Sequence, residues 1–290
     1  QLYSNKPAAI IRELGCNAWD SHVAANRTHV PFRVHLPTLL EPWLEIQDYG
    51  TGLSHDDVME LYTTYGDSTK DKSNSFIGAL GLGSKSPFAY TDTFTVHSIF
   101  NGQRRHYNAY INSSGEPMIT MLGIPQATDE HNGMCIHVPI KEEDTANFKR
   151  EASKYYSYMP IHPIINDENI WDDRKPDIYG ENWKYYKQLS YTERQNYSRL
   201  GSFNSKLREL DRKLYAIMGN VPYPIDITAI QKKIEDSDYN KFFSPVSRLN
   251  IELYFELGEL DIAASREALS YDDETVNNII SKIKTMQKDI

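Results

Sequence analysis

The run Ile10-Ile11-Arg12-Glu13-Leu14-Gly15-Cys16-Asn17-Ala18-Trp19-Asp20-Ser21 decides the reading of this chain. A helix advances about 100° per residue. Offsets of four and seven residues therefore carry Glu13, Asn17 and Asp20 onto one stripe, while Ile11, Leu14, Ala18 and Ala25 form an apolar stripe. A carboxylate, an amide and a second carboxylate in a row are costly to bury without a ligand. The helix is expected over Lys6 to Asn26, with Pro7 in its first turn, where proline is tolerated. One face serves the core and the other serves chemistry.

Two signals follow. The strand-like run Trp43-Leu44-Glu45-Ile46 leads into Asp48-Tyr49-Gly50-Thr51-Gly52. Further on, Ile77-Gly78-Ala79-Leu80-Gly81-Leu82-Gly83-Ser84-Lys85-Ser86 is glycine-rich and enters a short helix at Ser84. Neither is a Walker A loop nor a Rossmann fingerprint, because both spacings are absent. The three boxes, in this order, resemble the GHKL ATPases, the superfamily of type II topoisomerases, ninety-kilodalton heat-shock chaperones, histidine kinases and MutL-type mismatch-repair proteins.

That resemblance implies an α/β fold, a two-layer GHKL (Bergerat-type) sandwich of helices on a mixed sheet, with ATP and Mg²⁺ as cofactors. Asn17 would give its amide oxygen to Mg²⁺, which takes oxygen ligands and keeps several waters. Glu13 would act on the attacking water as general base. Asp20 would support the site through water or hydrogen bonds. Asp48, an acceptor when ionised, would receive the adenine amine, and Gly50 and Gly52 would let the backbone approach the base. Gly78, Gly81, Gly83 and Ser84 would present backbone amides to the phosphates, with Lys85 adding charge or facing solvent. Near the end of the sheet Met134 follows Gly133 where the superfamily usually has threonine, which removes a hydroxyl from the site.

A second-domain segment, Gly258-Glu259-Leu260-Asp261-Ile262-Ala263-Ala264-Ser265-Arg266-Glu267-Ala268-Leu269-Ser270, resembles the heat-shock chaperone segment that sets an arginine on the γ-phosphate. Arg266 matches that arginine, and a planar fork that stays charged suits phosphate. A salt-bridged arginine at a helix start is the alternative. The runs AIIRELGCNAWDSH, IGALGLGSKSPFAYTDTF, YPID and GELDIAASREALSYDD also look like the rII A-type rapid-lysis proteins of tailed phages, over Ala9 to Asp273. This implies protection of the infected cell from prophage-triggered exclusion. It also implies a phage or host protein partner, a nucleotide-dependent homodimer, and a place in the host cytoplasm, peripheral at the inner membrane. A chaperone-like scaffold driven by ATP and a nucleotide-binding pseudo-ATPase are the alternative functions, and a DNA topoisomerase or repair ATPase is a further one that the net charge of −9 disfavours.

Composition narrows the classes. With 40% hydrophobic and 24% charged residues the chain is of globular type. No run of about 18 apolar residues suggests a membrane span. A net charge of −9 argues against a broad nucleic-acid surface. Cys16 and Cys135 have no disulfide or zinc spacing, and a reducing setting is expected. His35, His97 and His137 alternate with apolar neighbours and read as structural. The chain begins at Gln1 and not Met, so a fragment of a longer protein is expected.

Along the chain, strands are expected at Phe32 to Leu36 and Trp43 to Gln47, with a helix from Ser54 through Tyr62. A polar lid is expected over Gly66 to Gly83. Four strands then follow at Thr93 to Phe100, Arg104 to Ile111, Pro117 to Leu122 and Met134 to Ile140. A linking helix is read over Lys141 to Met159. Pro160-Ile161-His162-Pro163 marks a boundary, giving a nucleotide-binding domain over 1–159 and a second α/β, transducer-like domain over 160–290. Asn166 to Ser202 carries no clear period. Beyond it come strands at Lys213 to Met218, Val221 to Tyr223 and Asn250 to Glu256, and helices at Ile227 to Ile234 and Glu274 to Gln287.

Overall fold

The computed structural model describes residues 3–63, 83–171, 175–188, 214–247 and 249–289. The lid expected over Gly66 to Gly83 lies outside these residues except for Gly83 itself, as do Gly78 and Gly81. The chain forms two compact units, Gln1–Ile170 and Trp171–Ile290.

The first unit is an α/β sandwich, with helices on one face of a mixed sheet. Helix α1 (Lys6–Ala24) opens at Asn5, whose side chain accepts the Ala8 N–H at 3.1 Å and satisfies one of the orphan donors of the first turn. It stops where Asn26 takes φ +54°, the left-handed conformation that ends many helices. Strands β1 (Arg33–His35) and β2 (Trp43–Gln47) form a hairpin, and α2 (His55–Thr63) follows. Then β3 (Thr93–Phe100), β4 (Gln103–Ile111), β5 (Pro117–Ala127) and β6 (Gly133–Pro139) form the rest of the sheet. Helix α3 (Thr145–Tyr156) and the short β7 (Ile164–Ile165) complete the unit. The strand order is β5-β4-β3-β6-β2-β1-β7, antiparallel except for β1 with β7.

Alternation decides which face is covered. Val34, Leu44, Ile46, Phe94, Val96, Ile136 and Val138 are buried beneath the helices. On the other face His35 stacks on Trp43 at 5.0 Å and Trp43 on His137 at 5.4 Å between ring centroids. Among the described residues no group of three His, Cys, Asp or Glu side chains is disposed to hold a metal ion.

Three elements differ from expectation for local reasons. The segment after Gly83 is a seven-residue 3₁₀ helix, Gly83–Ala89. Pro87 lies inside it, lacks an N–H and would press its ring on the carbonyl four residues back in an α-helix. Strand β5 runs five residues past Leu122, across a register shift opposite Arg104 and His106, with Gly123 at φ +70°. The helix expected as a linker is shorter, Thr145–Tyr156, and packs on α1, where the Tyr156 hydroxyl donates to the Ile11 carbonyl at 3.1 Å.

The second unit holds a five-stranded sheet in the order β11 (Val221–Pro224), β10 (Leu214–Met218), β12 (Asn250–Phe255), β9 (Trp183–Tyr186), β8 (Ile178–Gly180). Strands β8 (Ile178–Gly180) and β9 (Trp183–Tyr186) fall in the stretch that showed no period. They are short and tyrosine-rich, and only Trp183 of the two strands is buried, so no alternation was available to read. Strands β10 (Leu214–Met218) and β12 (Asn250–Phe255) run parallel, with β11 (Val221–Pro224) and helix α4 (Ile227–Gln231) between them in sequence. Helix α5 (Asp273–Asp289) buries Val276, Ile279, Ile283 and Met286.

Candidate functional site

A cavity of about 170 Å³ lies in the first unit, between α1, the end of β2, α2, the 3₁₀ helix and β6. Leu14, Asn17, Ala18 and Ser21 line it from α1. These positions follow the i, i+3, i+4, i+7 spacing of one helical face. Ile46, Asp48, Thr51, Gly52, Met134 and Ile136 line it from the sheet side, and Ser84 from the 3₁₀ helix. The walls are mostly apolar, with polar groups at a few points, as in small-molecule sites generally.

Among the described residues that line this cavity Asp48 is the charged one, and it is 6% exposed. Its Oδ1 accepts the Gly50 N–H at 2.9 Å and the Ser21 hydroxyl at 3.1 Å. Burial pushes the carboxyl up to about 6. The donors from Gly50, Ser21 and Met134 pull the other way without overcoming it. The turn after Asp48 is pressed on α1. A Cβ at Gly50 would run into the Ser21 backbone, so only glycine fits there. Gly52 sits at φ +64°, and a Cβ there would strike the Ile99 carbonyl.

His22, next along α1, is fully buried. Its Nε2 accepts the Tyr49 N–H at 2.8 Å and its Nδ1 faces the Val30 carbonyl at 3.0 Å. A backbone N–H can only donate, so Nε2 is bare and Nδ1 carries the proton. Burial lowers the pKa of His22, in keeping with this neutral form.

Glu13 lies one turn before Asn17 and is also buried. Its Oε1 accepts from Arg12, at 3.1 Å from Nε and 2.8 Å from a terminal nitrogen. Its Oε2 is turned to Gly83, where a Cβ would come within 2.8 Å of it. Asn17 Nδ2 reaches Ser84 Oγ at a long 3.5 Å. The 3₁₀ helix thus begins directly over the Glu13 and Asn17 stripe.

Of the residues singled out in sequence, Asn17, Asp48, Gly52 and Ser84 line one cavity. Gly50 backs the Asp48 turn, while Glu13 lies under Gly83 at the margin. Asp20 and Lys85 do not line it. The lining face of α1 centres near Leu14 and Ser21, roughly 100° around the helix from Asp20. Lys85 is half-buried, and desolvation lowers its pKa. Arg266 lies in the second unit, and no helix starts there. It sits at φ +56° inside a tight loop closed by the Ile262 and Leu269 bridge. Sequence reasoning missed Ser21, His22 and Thr51. Ser21, four residues after Asn17, was the available signal, since that offset repeats the helix face that mattered.

The chain is similar to chaperone proteins named HtpG. The HtpG of Rickettsia canadensis (strain McKiel) is 25% identical over 277 residues, covering 82% of this chain and 42% of that protein. The HtpG of Rickettsia bellii (strain OSU 85-389) is 24% identical over 276 residues, covering 82% and 43%. The chain therefore spans less than half the length of these curated relatives. No family model matches it. The similarity agrees with the GHKL resemblance and with a chaperone-like relationship at the level of the domain. No helix among the described residues is long and apolar enough to cross a membrane.

Proposed function

We propose that the first unit binds ATP together with Mg²⁺ and hydrolyses it to ADP and phosphate. The observation that carries this reading is one apolar cavity with Asp48 in the sheet wall and Asn17 with Ser84 at the helix wall. At about 170 Å³ it is smaller than pockets that enclose whole drug-sized ligands, roughly 300–1,000 Å³. It suits the base end of a nucleotide, with Asp48 accepting the amine of adenine. The phosphates then lie toward Asn17 and Ser84. The Asn17 amide nitrogen is directed at Ser84, which leaves its oxygen as a ligand of the type Mg²⁺ takes. Magnesium, when bound, supplies charge neutralisation on the phosphates. Glu13, one turn along the same stripe and oriented by Arg12, takes the proton of the attacking water. Arg266, in the second unit, contributes to turnover.

The similarity to HtpG chaperones favours a chaperone-like use of this cycle, in which ATP drives a change of shape and partner binding. The rII A-type reading rests on the sequence runs quoted above. It assigns the cycle to protection of an infected cell, with a phage or host protein partner, a nucleotide-dependent homodimer, and a place in the host cytoplasm at the inner membrane. A thermal-shift titration with ATP, ADP and GTP, each with and without Mg²⁺, tests the common core. ATP at 100 times its Kd should stabilise the protein by about 2.7 kcal/mol. No response to ATP at millimolar concentration overturns the reading.

A further inference from the structure

The Asp48 turn is held from α1 by two consecutive residues that follow Glu13, Asn17 and Asp20 along the helix. Ser21 donates its hydroxyl proton to Asp48 Oδ1 and, through its oxygen, accepts the Thr51 N–H at 3.1 Å. His22 accepts the Tyr49 N–H. The three backbone or side-chain groups they hold, at Asp48, Tyr49 and Thr51, span the whole turn. His22 in turn is fixed by the Val30 carbonyl and by the edge of the Phe32 ring, 6.5 Å away at 88°. Met134, across the cavity, brings no side-chain hydroxyl to this group.

We propose that Ser21 and His22 are the positioning residues that make this site select a 6-amino over a 6-oxo purine. The inference rests on the ATP reading above and deepens it. An ionised carboxylate only accepts, so it attracts an amino group and repels a carbonyl oxygen. A protonated carboxyl can also donate, and then it tolerates the carbonyl. Asp48 is buried enough to sit near that boundary, and burial is the larger influence on it. The Ser21 hydroxyl is one of the donors holding it in the accepting form. Among the described residues, Cys135 on β6 is the titratable group that feels the Asp48 charge, and His22 on α1 holds the adjoining Tyr49 N–H. His22 is held neutral, and burial pushes the Cys135 thiol up, so neither supplies a counter-charge. With Ser21 gone, more of Asp48 carries a proton near neutral pH, and the orientation of its second oxygen loosens.

The test compares Mg²⁺-ATP with Mg²⁺-ITP, which carries oxygen in place of the 6-amino group, by calorimetry on the full chain. The parent should prefer ATP by roughly tenfold or more, a ratio equivalent to about 1.4 kcal/mol. Ser21→Ala keeps a good helix former in α1. It should lose most of that preference, chiefly by weaker ATP binding, and regain part of it as pH is raised from 7 to 8.5. His22→Leu should weaken the preference too. His22→Gln, which retains an accepting oxygen, should recover part of it. Amide exchange at Tyr49 and Thr51 should quicken in the Leu and Ala variants respectively, without nucleotide present. A Ser21→Ala variant that binds both nucleotides less well by the same factor makes Ser21 merely structural and overturns the inference. An unchanged ratio overturns it as well. If the parent binds neither nucleotide, the ATP reading itself fails, and the inference falls with it.

Discussion

Asp48 combines a functional demand with a stability cost. A carboxyl moved from 3.8 to about 6 by burial is more easily protonated in the folded than in the unfolded chain. Its cost to stability is fully present above about pH 6 and is relieved as pH falls toward 3.8. At about 1.4 kcal/mol per pH unit the cost is on the order of 3 kcal/mol at neutral pH. Asp48→Asn should therefore raise the melting temperature of the nucleotide-free protein at pH 7, with the gain shrinking by pH 4. The same variant should bind ATP more weakly, because it can present an amine to the adenine amine. Melting curves across pH 4 to 7 and calorimetry with ATP measure both halves. A variant no more stable at pH 7 contradicts the account of burial, and undiminished affinity removes Asp48 from the site. Glu13 is proposed to act on water and not on nucleotide. Glu13→Ala should keep ATP affinity within a few-fold while turnover drops by roughly 10²–10⁴. Single-turnover assays separate the two quantities. Glu13, Asn17 and Asp48 could be singled out because Glu13 and Asn17 lie one helical turn apart and Asp48 opens a local glycine turn. His22 could not be, because a histidine on a helix carries no signal until its distant partner is known, and Ser21 offered its four-residue offset from Asn17 but nothing to say what it holds.

At the level of elements, α1 was legible from its apolar period and from Pro7 in its first turn, while its cap emerged only in the structure. The Asn5 side chain bonds Ala8 and also reaches Glu151 at 3.2 Å. Asn5→Ala should cost about 1 kcal/mol, read as a lowered denaturation midpoint. A larger toll is expected where α1 meets the Asp48 turn. Gly50→Ala drives a methyl into the Ser21 backbone, and overpacking of this kind costs typically about 1–3 kcal/mol. It should destabilise the fold and weaken ATP binding together. A variant as stable as the parent would mean that the turn stands farther from α1. Strands β2, β3 and β4 were readable from alternation, which burial of one face imposes. The extension of β5 past Leu122 was not, because its residues there are exposed and the pattern is lost. The 3₁₀ geometry after Gly83 accords with Pro87 inside it, whereas the sequence was read only as far as a short helix starting at Ser84.

For the whole molecule, each compact unit carries its own sheet and its own buried residues. Residues 1–170 expressed alone should remain folded and bind ATP, checked by circular dichroism and calorimetry. Loss of binding in a folded fragment would move part of the site into the second unit. Arg266→Ala should slow turnover of the full chain and leave ATP affinity within a few-fold, and equal turnover would make Arg266 structural. The sequence by itself determined the α/β class of the first unit, the helix that carries Glu13 and Asn17, and the strand leading to Asp48. These depend on neighbours three to seven residues apart and on alternation, which the chain displays before it folds. Only the tertiary structure decided which face of α1 lines the cavity, that Asp20 stands aside from it, and that Ser21 holds the carboxylate. Ser21 and Asp48 are 27 residues apart, and Asn17 and Ser84 are 67 apart. At such separations no local periodicity links two side chains, and it is the burial of the sheet beneath α1 that brings them within hydrogen-bonding reach.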